Sequence, residues 1–283
     1  MATRRPQKHP HKNKSRKKKT AVWKLHLLAY SFLIVAFLTF HYKDGIKYLI
    51  LEVYESVFYS EKTNEITVHD IRAIEILDKH DEHLFGFDVS HYQYEINWKI
   101  TDSLYQKYPV DFVFIRSTMG IDGIDNTFKT NWKYAKTRLL IRGAYHYYRP
   151  DENSTQQAQN FIKNTPLEPG DFVPVLDIEE ISKTQTQEKL REGLQNWLTL
   201  VENHYGVKPL IYSGAHYYDQ HLKEYFPEHK IWIAKYSLFS EKMKDDWHFW
   251  QFTEKGTVPG IETPVDLNIF KGNRQDIKAF LIQ

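Results

Sequence analysis

The chain has 283 residues, of which 41% are hydrophobic, 26% charged and 15% aromatic, and it contains no cysteine. This is a globular composition with room for one large domain or two small ones. It excludes a disulfide scaffold, zinc–thiolate sites, thiol catalysis and a lipid-modified N-terminal cysteine. The formal net charge of +2 is unevenly placed: residues 1–20 carry nine Lys or Arg and no acid, which leaves 29 basic against 36 acidic residues beyond them. The body is acidic and the tail basic.

From Leu25 to Tyr42 no charged residue occurs, and LLAYSFLIVAFLTF lies at the centre of the stretch. A helix of that length spans about 27 Å, close to the hydrocarbon thickness of a bilayer. Trp23 and Tyr42 suit the headgroup zone, and Lys24 can snorkel towards it. The expectation is a single transmembrane signal-anchor over 25–42, uncleaved because LTFHYKDG offers no small-residue cleavage site. The positive-inside rule then puts the basic tail, 1–24, in the cytoplasm and the remainder outside. The tail has no aromatic residues to stack on bases, so topology and anionic lipid explain it better than nucleic acid does.

A stalk is expected over 43–82. Ile46, Ile50, Val53 and Val57 recur at helical spacing, which predicts an amphipathic helix near 45–60. Packing on the domain is the expected arrangement, with continuation of the membrane helix or pairing with another chain as the alternatives.

From residue 83 onward short apolar runs alternate with helical patterns. The runs lie at 85–90, 112–118, 139–148, 172–180, 208–214, 230–236, 247–253 and 265–270. TQEKLREGLQNWLTLVENHYG is an evident helix, and NTFKTNWKYAKTRLL and STQQAQNFIKN read the same way. Strand and helix repeating at about 30 residues predicts βα units and a parallel sheet. Eight strands suggest a closed (β/α)8-type barrel, with an open doubly wound sheet as the alternative. The last gaps are too short for full helices. No G-x-G-x-x-G or G-x-x-x-x-G-K-[ST] occurs, so nucleotide binding lacks support.

In such a barrel, chemistry collects at the C-terminal ends of the strands. Read in order, these ends offer Asp88, Arg116, Tyr145 with His146, Asp177 with Glu179, Tyr212, and Trp250 with Gln251; Asp266 lies near the start of the last strand. Acids and aromatics dominate, which disfavours a phosphate or nucleic-acid site. The sharpest signal is VPVLDIEE. Asp177 and Glu179 are two apart, so on a strand they share a face. Two neighbouring carboxylates raise each other's proton affinity and can keep one protonated near neutral pH as a general acid. The alternative is a solvated strand end. Glu180 faces the other way and reads as structural.

Fourteen histidines are present, but H-E-x-x-H is absent and no metal site is expected. No G-x-S-x-G occurs. Ser213 reads as a packing or turn residue and His146 as a hydrogen-bonded strand-end histidine. Seven Trp, 19 Tyr and 17 Phe exceed the needs of one core, and aromatics at strand ends would suit the apolar faces of sugar rings.

Taken in order, GFDVSHYQ, FVFIRSTMG, IRGAYHYYRP, VLDIEE, LIYSG, IWIAKY, WQFT and VDLNIF resemble the glycoside hydrolase family 25 lysozymes, the Chalaropsis-type N-acetylmuramidases. The resemblance covers Phe85 to about Phe270 and implies a catalytic domain at 83–283. It implies a modified barrel of five βα units with a β-rich end. The implied activity is hydrolysis of the β-1,4 bond between N-acetylmuramic acid and N-acetylglucosamine in peptidoglycan, with no cofactor. By the same resemblance Glu179 is the proton donor, and Asp177 stabilises the N-acetyl group or the oxocarbenium charge. Asp88, Asp266 and Tyr145 match further active-site positions. Tyr212, Trp250, Gln251 and Arg116 are expected to bind substrate. One departure stands out. Where the family commonly has Lys-x-[ST]-Glu-Gly, this chain has Arg116, Ser117, Thr118, Met119 and Gly120. A silent glycan-binding domain and a glycosidase on another N-acetylhexosamine polymer, such as chitin, are the other readings. The expected setting is a single-pass protein of the cytoplasmic membrane with its enzyme domain outside.

Overall fold

The computed structural model describes residues 14–58, 66–237, 239 and 242–283. Two compact units result, Met1–Phe58 and Tyr59–Gln283.

The first unit holds two helices, α1 (Lys14–His41) and α2 (Lys43–Phe58). α2 covers the helical stretch read at 45–60 as far as Phe58. The expected anchor falls within α1 and Tyr42. Among the described residues no helix is long and apolar enough to cross a membrane. The basic run Lys14–Lys19 shares the helix with the apolar stretch, and His26, Ser31, Thr39 and His41 interrupt that stretch. The transmembrane helix expected over 25–42, and attachment to a membrane through it, are therefore unsupported. Residues 1–13 of the basic tail lie outside the described residues.

The second unit begins with α3 (Val68–Lys79), inside the segment read as a stalk. Thr67 caps it reciprocally with Asp70, satisfying two backbone donors at the helix start. Its Ala73, Ile76 and Leu77 are buried in the same core as the strands that follow. Tyr108 also donates to Asp78 at 2.7 Å, tying the helix down.

After α3 come β1 (Leu84–Val89), the short pair β2 (Ser103–Leu104) and β3 (Tyr108–Pro109), then β4 (Phe112–Met119) and the short β5 (Gly123–Ile124). α4 (Phe128–Thr137), β6 (Ile141–Tyr147), α5 (Ser154–Asn164), β7 (Val175–Asp177), α6 (Gln187–Tyr205), β8 (Leu210–Gly214) and the single turn α7 (Ala215–Tyr217) follow. The chain closes with β9 (Ile231–Ala234), β10 (Phe249–Gly256) and β11 (Val265–Phe270). Every one of the eight predicted runs contains a barrel strand.

Pairing between β1 and β4 closes the sheet β1-β11-β10-β9-β8-β7-β6-β4 into a barrel. This sets the open doubly wound sheet aside. The crossovers that follow β4, β6, β7 and β8 are helical, whereas the one after β1 is a 3₁₀ turn and the β2–β3 pair. Only β11 runs antiparallel to its barrel neighbours, because the eight residues between β10 and β11 are too few for a parallel crossover. This reversal brings the start of β11 to the end of the barrel where the other strands finish.

Alternation along the strands sorts two cores. Phe85, Phe87, Val113, Ile115, Ile211 and Ile233 face outward against the helices. α6 meets them with Leu190, Leu194, Trp197, Leu198 and Val201, one stripe at helical spacing, and ends at Gly206 in the left-handed conformation. The barrel interior is filled by rings: Phe112, Phe114, Phe172, Trp232, Phe249 and Phe270. Phe114 stacks between Phe172 and Trp232 at centroid distances of 4.7 and 4.4 Å. Glycines make room for these rings. A Cβ on Gly143 would lie 2.4 Å from the Phe114 ring, and one on Gly86 the same distance from Phe112. Gly143→Ala is therefore expected to cost about 1–3 kcal/mol of overpacking, or roughly 3–10 °C in Tm by calorimetry. An unchanged Tm would show that the interior can yield.

Candidate active site

The open end of the barrel forms a cavity of about 270 Å³. Asp88 reaches it from the end of β1, Arg116 from β4, Tyr145 from β6 and Asp177 from the last residue of β7. Tyr212, Gln251 and Asp266 enter from β8, β10 and the start of β11, and Glu179 stands at the mouth, exposed to solvent.

The D-x-E segment is pinned just as it leaves the sheet. The Ile178 amide donates to the Tyr212 carbonyl at 3.1 Å, and the Ser213 hydroxyl donates to the Ile178 carbonyl at 2.6 Å. Tyr217 donates to the Glu180 carbonyl at 3.1 Å. Asp177 and Glu179 both line the cavity, while Glu180 turns away to accept a hydrogen bond from Tyr147 at 2.9 Å. Ser213 is a packing residue, as its sequence context suggests. His146 is buried outside the barrel, held by Thr118 and Gln157 at 2.7 and 3.2 Å. Burial pushes its pKa down to about 3, so it stays neutral and serves the core.

Eight of the nine side chains singled out in the sequence come together here, and Trp250 does not. Trp250 is fully buried on the outer face of β10, where its indole donates to the Lys235 carbonyl at 3.0 Å. Gln251 faces inward, so its neighbour Trp250 must face outward. The tryptophan at the cavity is Trp232, from the adjacent strand β9. Tyr92, Tyr147, Tyr236 and Glu254 are further lining residues that the sequence reading missed.

Electrostatically the cavity is a store of protons. Five carboxylates line it, Asp88, Asp177, Glu179, Glu254 and Asp266, against the one guanidinium of Arg116. That guanidinium is already engaged by Asp125 at 3.1 Å and stacks on the Tyr92 ring at 5.3 Å. Burial, with the charge of Glu179 added, raises Asp88 to about 7 against two opposing hydrogen bonds. Asp177 is raised by burial and then by the charges of Glu179 and Asp88. Glu179 is raised by burial and then by Glu180. Burial and the charges of Asp88, Glu254 and Glu179 raise Asp266 to about 9. Like charges gathered in one low-dielectric pocket cannot all ionise, so the cluster keeps protons near neutral pH.

A stability consequence follows for Asp266. Its folded value lies above the ordinary 3.8. The unfolded chain therefore releases a proton that the folded one retains, and stability falls as pH rises from about 4 towards 9. Asp266→Asn, neutral throughout, is expected to raise Tm by roughly 2–6 °C at pH 8 and to leave it unchanged near pH 4. Scanning calorimetry at the two pH values checks this; a loss of Tm at pH 8 would contradict it.

Met119 does not line the cavity. Its sulfur lies 3.5 Å from Arg149 Nη2, and Glu152 supplies the carboxylate there, pairing with Arg149 at 3.1 Å and accepting from the Ile121 amide at 2.7 Å. The departure from the family motif leaves the acid cluster untouched.

A closed barrel with Asp177 at the end of β7, Glu179 two residues beyond it and aromatic walls suits a glycoside hydrolase. The model for glycosyl hydrolases family 25 matches residues 87–261, and the chain belongs to that family. It is 38% identical over 202 residues to the uncharacterized protein YegX of Escherichia coli K12, covering 70% of this chain and 73% of the relative. It is 28% identical to lysozyme M1 of Streptomyces globisporus, covering 69% and 70%. Among solved structures, a family 25 glycosyl hydrolase from Bacillus anthracis superposes with a TM-score of 0.63 at 30% identity, covering 71% of this chain and 94% of the other.

Proposed function

We propose that this chain is an N-acetylmuramidase that hydrolyses the β-1,4 bond between N-acetylmuramic acid and N-acetylglucosamine in peptidoglycan. The observation that carries the reading is the gathering of Asp88, Asp177, Glu179 and Asp266 around one cavity at the open end of the barrel. Glu179 is the acid: it stands at the solvent-exposed mouth with its proton affinity raised, suited to protonating the departing glycosidic oxygen. Asp177, deeper and buried, faces the acetamido group of the sugar and steadies it as it closes on the anomeric carbon, or steadies the oxocarbenium charge directly. Both acids leave the same strand on the same side, which favours assistance by the substrate over attack from the opposite face. Arg116, Tyr145, Tyr212 and Gln251 bind and orient the glycan. Trp232 takes the place in the wall that the sequence suggested for Trp250. The catalytic domain is 83–283, with α3 packed on its N-terminal side. Peptidoglycan lies outside the cytoplasmic membrane, so the enzyme's working place is extracytoplasmic.

The test is substrate choice. The full chain should release soluble fragments from purified peptidoglycan and none from chitin. Release from chitin alone would replace muramidase by chitinase. Binding of glycan without release would make the domain a lectin-like module.

A further inference from the structure

Asp88 is the one acid of the cluster held from behind by neutral side chains. Its Oδ2 accepts two hydrogen bonds of 2.7 Å, one from Gln251 Nε2 and one from Asn268 Nδ2. No hydrogen bond engages Oδ1 among the described residues, and Asp88 lines the cavity.

The oxygen and nitrogen of a side-chain amide are nearly the same in shape, so something must decide which end meets the acid. For Asn268 it is Trp232. The indole N–H donates to Asn268 Oδ1 at 2.8 Å and has no acceptor capacity, so the amide cannot turn over without setting two donors against each other. For Gln251 it is a pair of phenols. Tyr212 donates to Gln251 Oε1 at 2.7 Å, and Tyr236 donates to the same oxygen. Burial keeps both phenols protonated and therefore able to donate. Asp177 lacks such support: its Oδ1 is buried without a partner.

Building on the muramidase reading, we infer that Trp232, Tyr212 and Tyr236 are positioning residues which, through Asn268 and Gln251, tie down Asp88 Oδ2 and leave Oδ1 aimed at the glycan to accept a hydroxyl or amide hydrogen. Two N–H donors on one oxygen favour the ionised carboxylate. They oppose, without cancelling, the burial that raises Asp88 to about 7, so the balance between its charged and protonated forms depends on this network. The arrangement explains an inner wall in which a tryptophan, two tyrosines and two amides converge on one acid.

The experiment is the pH dependence of kcat/KM on solubilised peptidoglycan for the full chain, Trp232→Phe and Tyr236→Phe. Trp232→Phe keeps the ring and removes the N–H. It should lower kcat about tenfold with KM altered less than threefold. It should also move the acid limb of the profile up by about half to one pH unit, because Asn268, no longer held by the indole, can turn over and withdraw from Asp88 a donor that favours its charge. Tyr236→Phe leaves Tyr212 as donor and should move the limb the same way by less. A purely structural role would lower Tm and the amount of active enzyme with the limb unmoved, and that result overturns the inference. If Trp232→Phe fails to fold, the Tyr212→Phe, Tyr236→Phe double variant decides by the same limb. If the wild type cuts no peptidoglycan, the muramidase reading falls. The inference is then tested by carbon-13 titration of the Asp88 carboxyl, assigned by its loss in Asp88→Asn. That titration should shift upward in Trp232→Phe, and no shift overturns the inference.

Discussion

Glu179→Gln is expected to lower kcat on peptidoglycan by about a thousandfold, within the range a positioned general acid supplies. The amide keeps the size of the side chain and can no longer deliver a proton to the leaving oxygen. Burial and the charge of Glu180 raise the Glu179 carboxyl, so the neutral amide should leave Tm unchanged near pH 4 and no lower than wild type at neutral pH. Substrate binding should survive, because the tyrosines, Arg116 and Gln251 that line the cavity are unchanged. Turnover by a folded variant at more than a tenth of the wild-type rate would remove Glu179 from the role of acid. Steady-state kinetics beside a thermal melt provides the check.

Asp177→Asn should separate activity from stability. The lost carboxylate no longer steadies the acetamido group or the developing positive charge, and kcat is expected to fall by about 100- to 1,000-fold. The same change should stabilise the fold at alkaline pH. Asp177 is buried, one of its oxygens has no partner, and its pKa is raised by burial and by the charges of Glu179 and Asp88. The wild type thus loses stability as pH climbs above the ordinary carboxylate range, and a neutral amide does not. A higher Tm than wild type at pH 8, with the gain vanishing towards pH 4, is the expected pattern. An active variant that is also less stable at pH 8 would contradict both halves of the argument. Carboxylates serving only to hold the barrel together would produce such a variant, since removing them would cost stability at every pH.

Much of this architecture can be read from the sequence, because its strongest features have local causes. The eight strands lie in runs such as FVFIRST and KIWIAKY, dense in apolar residues where the strand is buried on both faces. The same property hides their phase. In WHFWQFT nothing local says which face is inward, and the sheet settles it by placing Gln251 in the cavity and both Trp247 and Trp250 in the outer core. Asn268 was within reach, since it follows Asp266 by two residues in VDLN and so shares its face. Its role was not, because that role depends on an indole from another strand. Tyr236 and Glu254 lie beyond the regular alternation of their strands, where tertiary contacts set side-chain direction. α3 was hidden for another reason: its capping box reads Thr67 to Asp70, and the glutamate usual at that place is missing. At 25–42 hydropathy alone argued for a span. The helix found there is continuous with the basic run and carries polar residues at intervals.

The most direct test of the central claim is the chemistry of the new chain ends. Purified peptidoglycan is digested with the full chain and with Glu179→Gln side by side, and the reduced fragments are identified by mass spectrometry. The account predicts N-acetylmuramic acid at the reducing ends of the wild-type products and none above background from the variant. Reducing ends of N-acetylglucosamine, or equal release by Glu179→Gln, would contradict it.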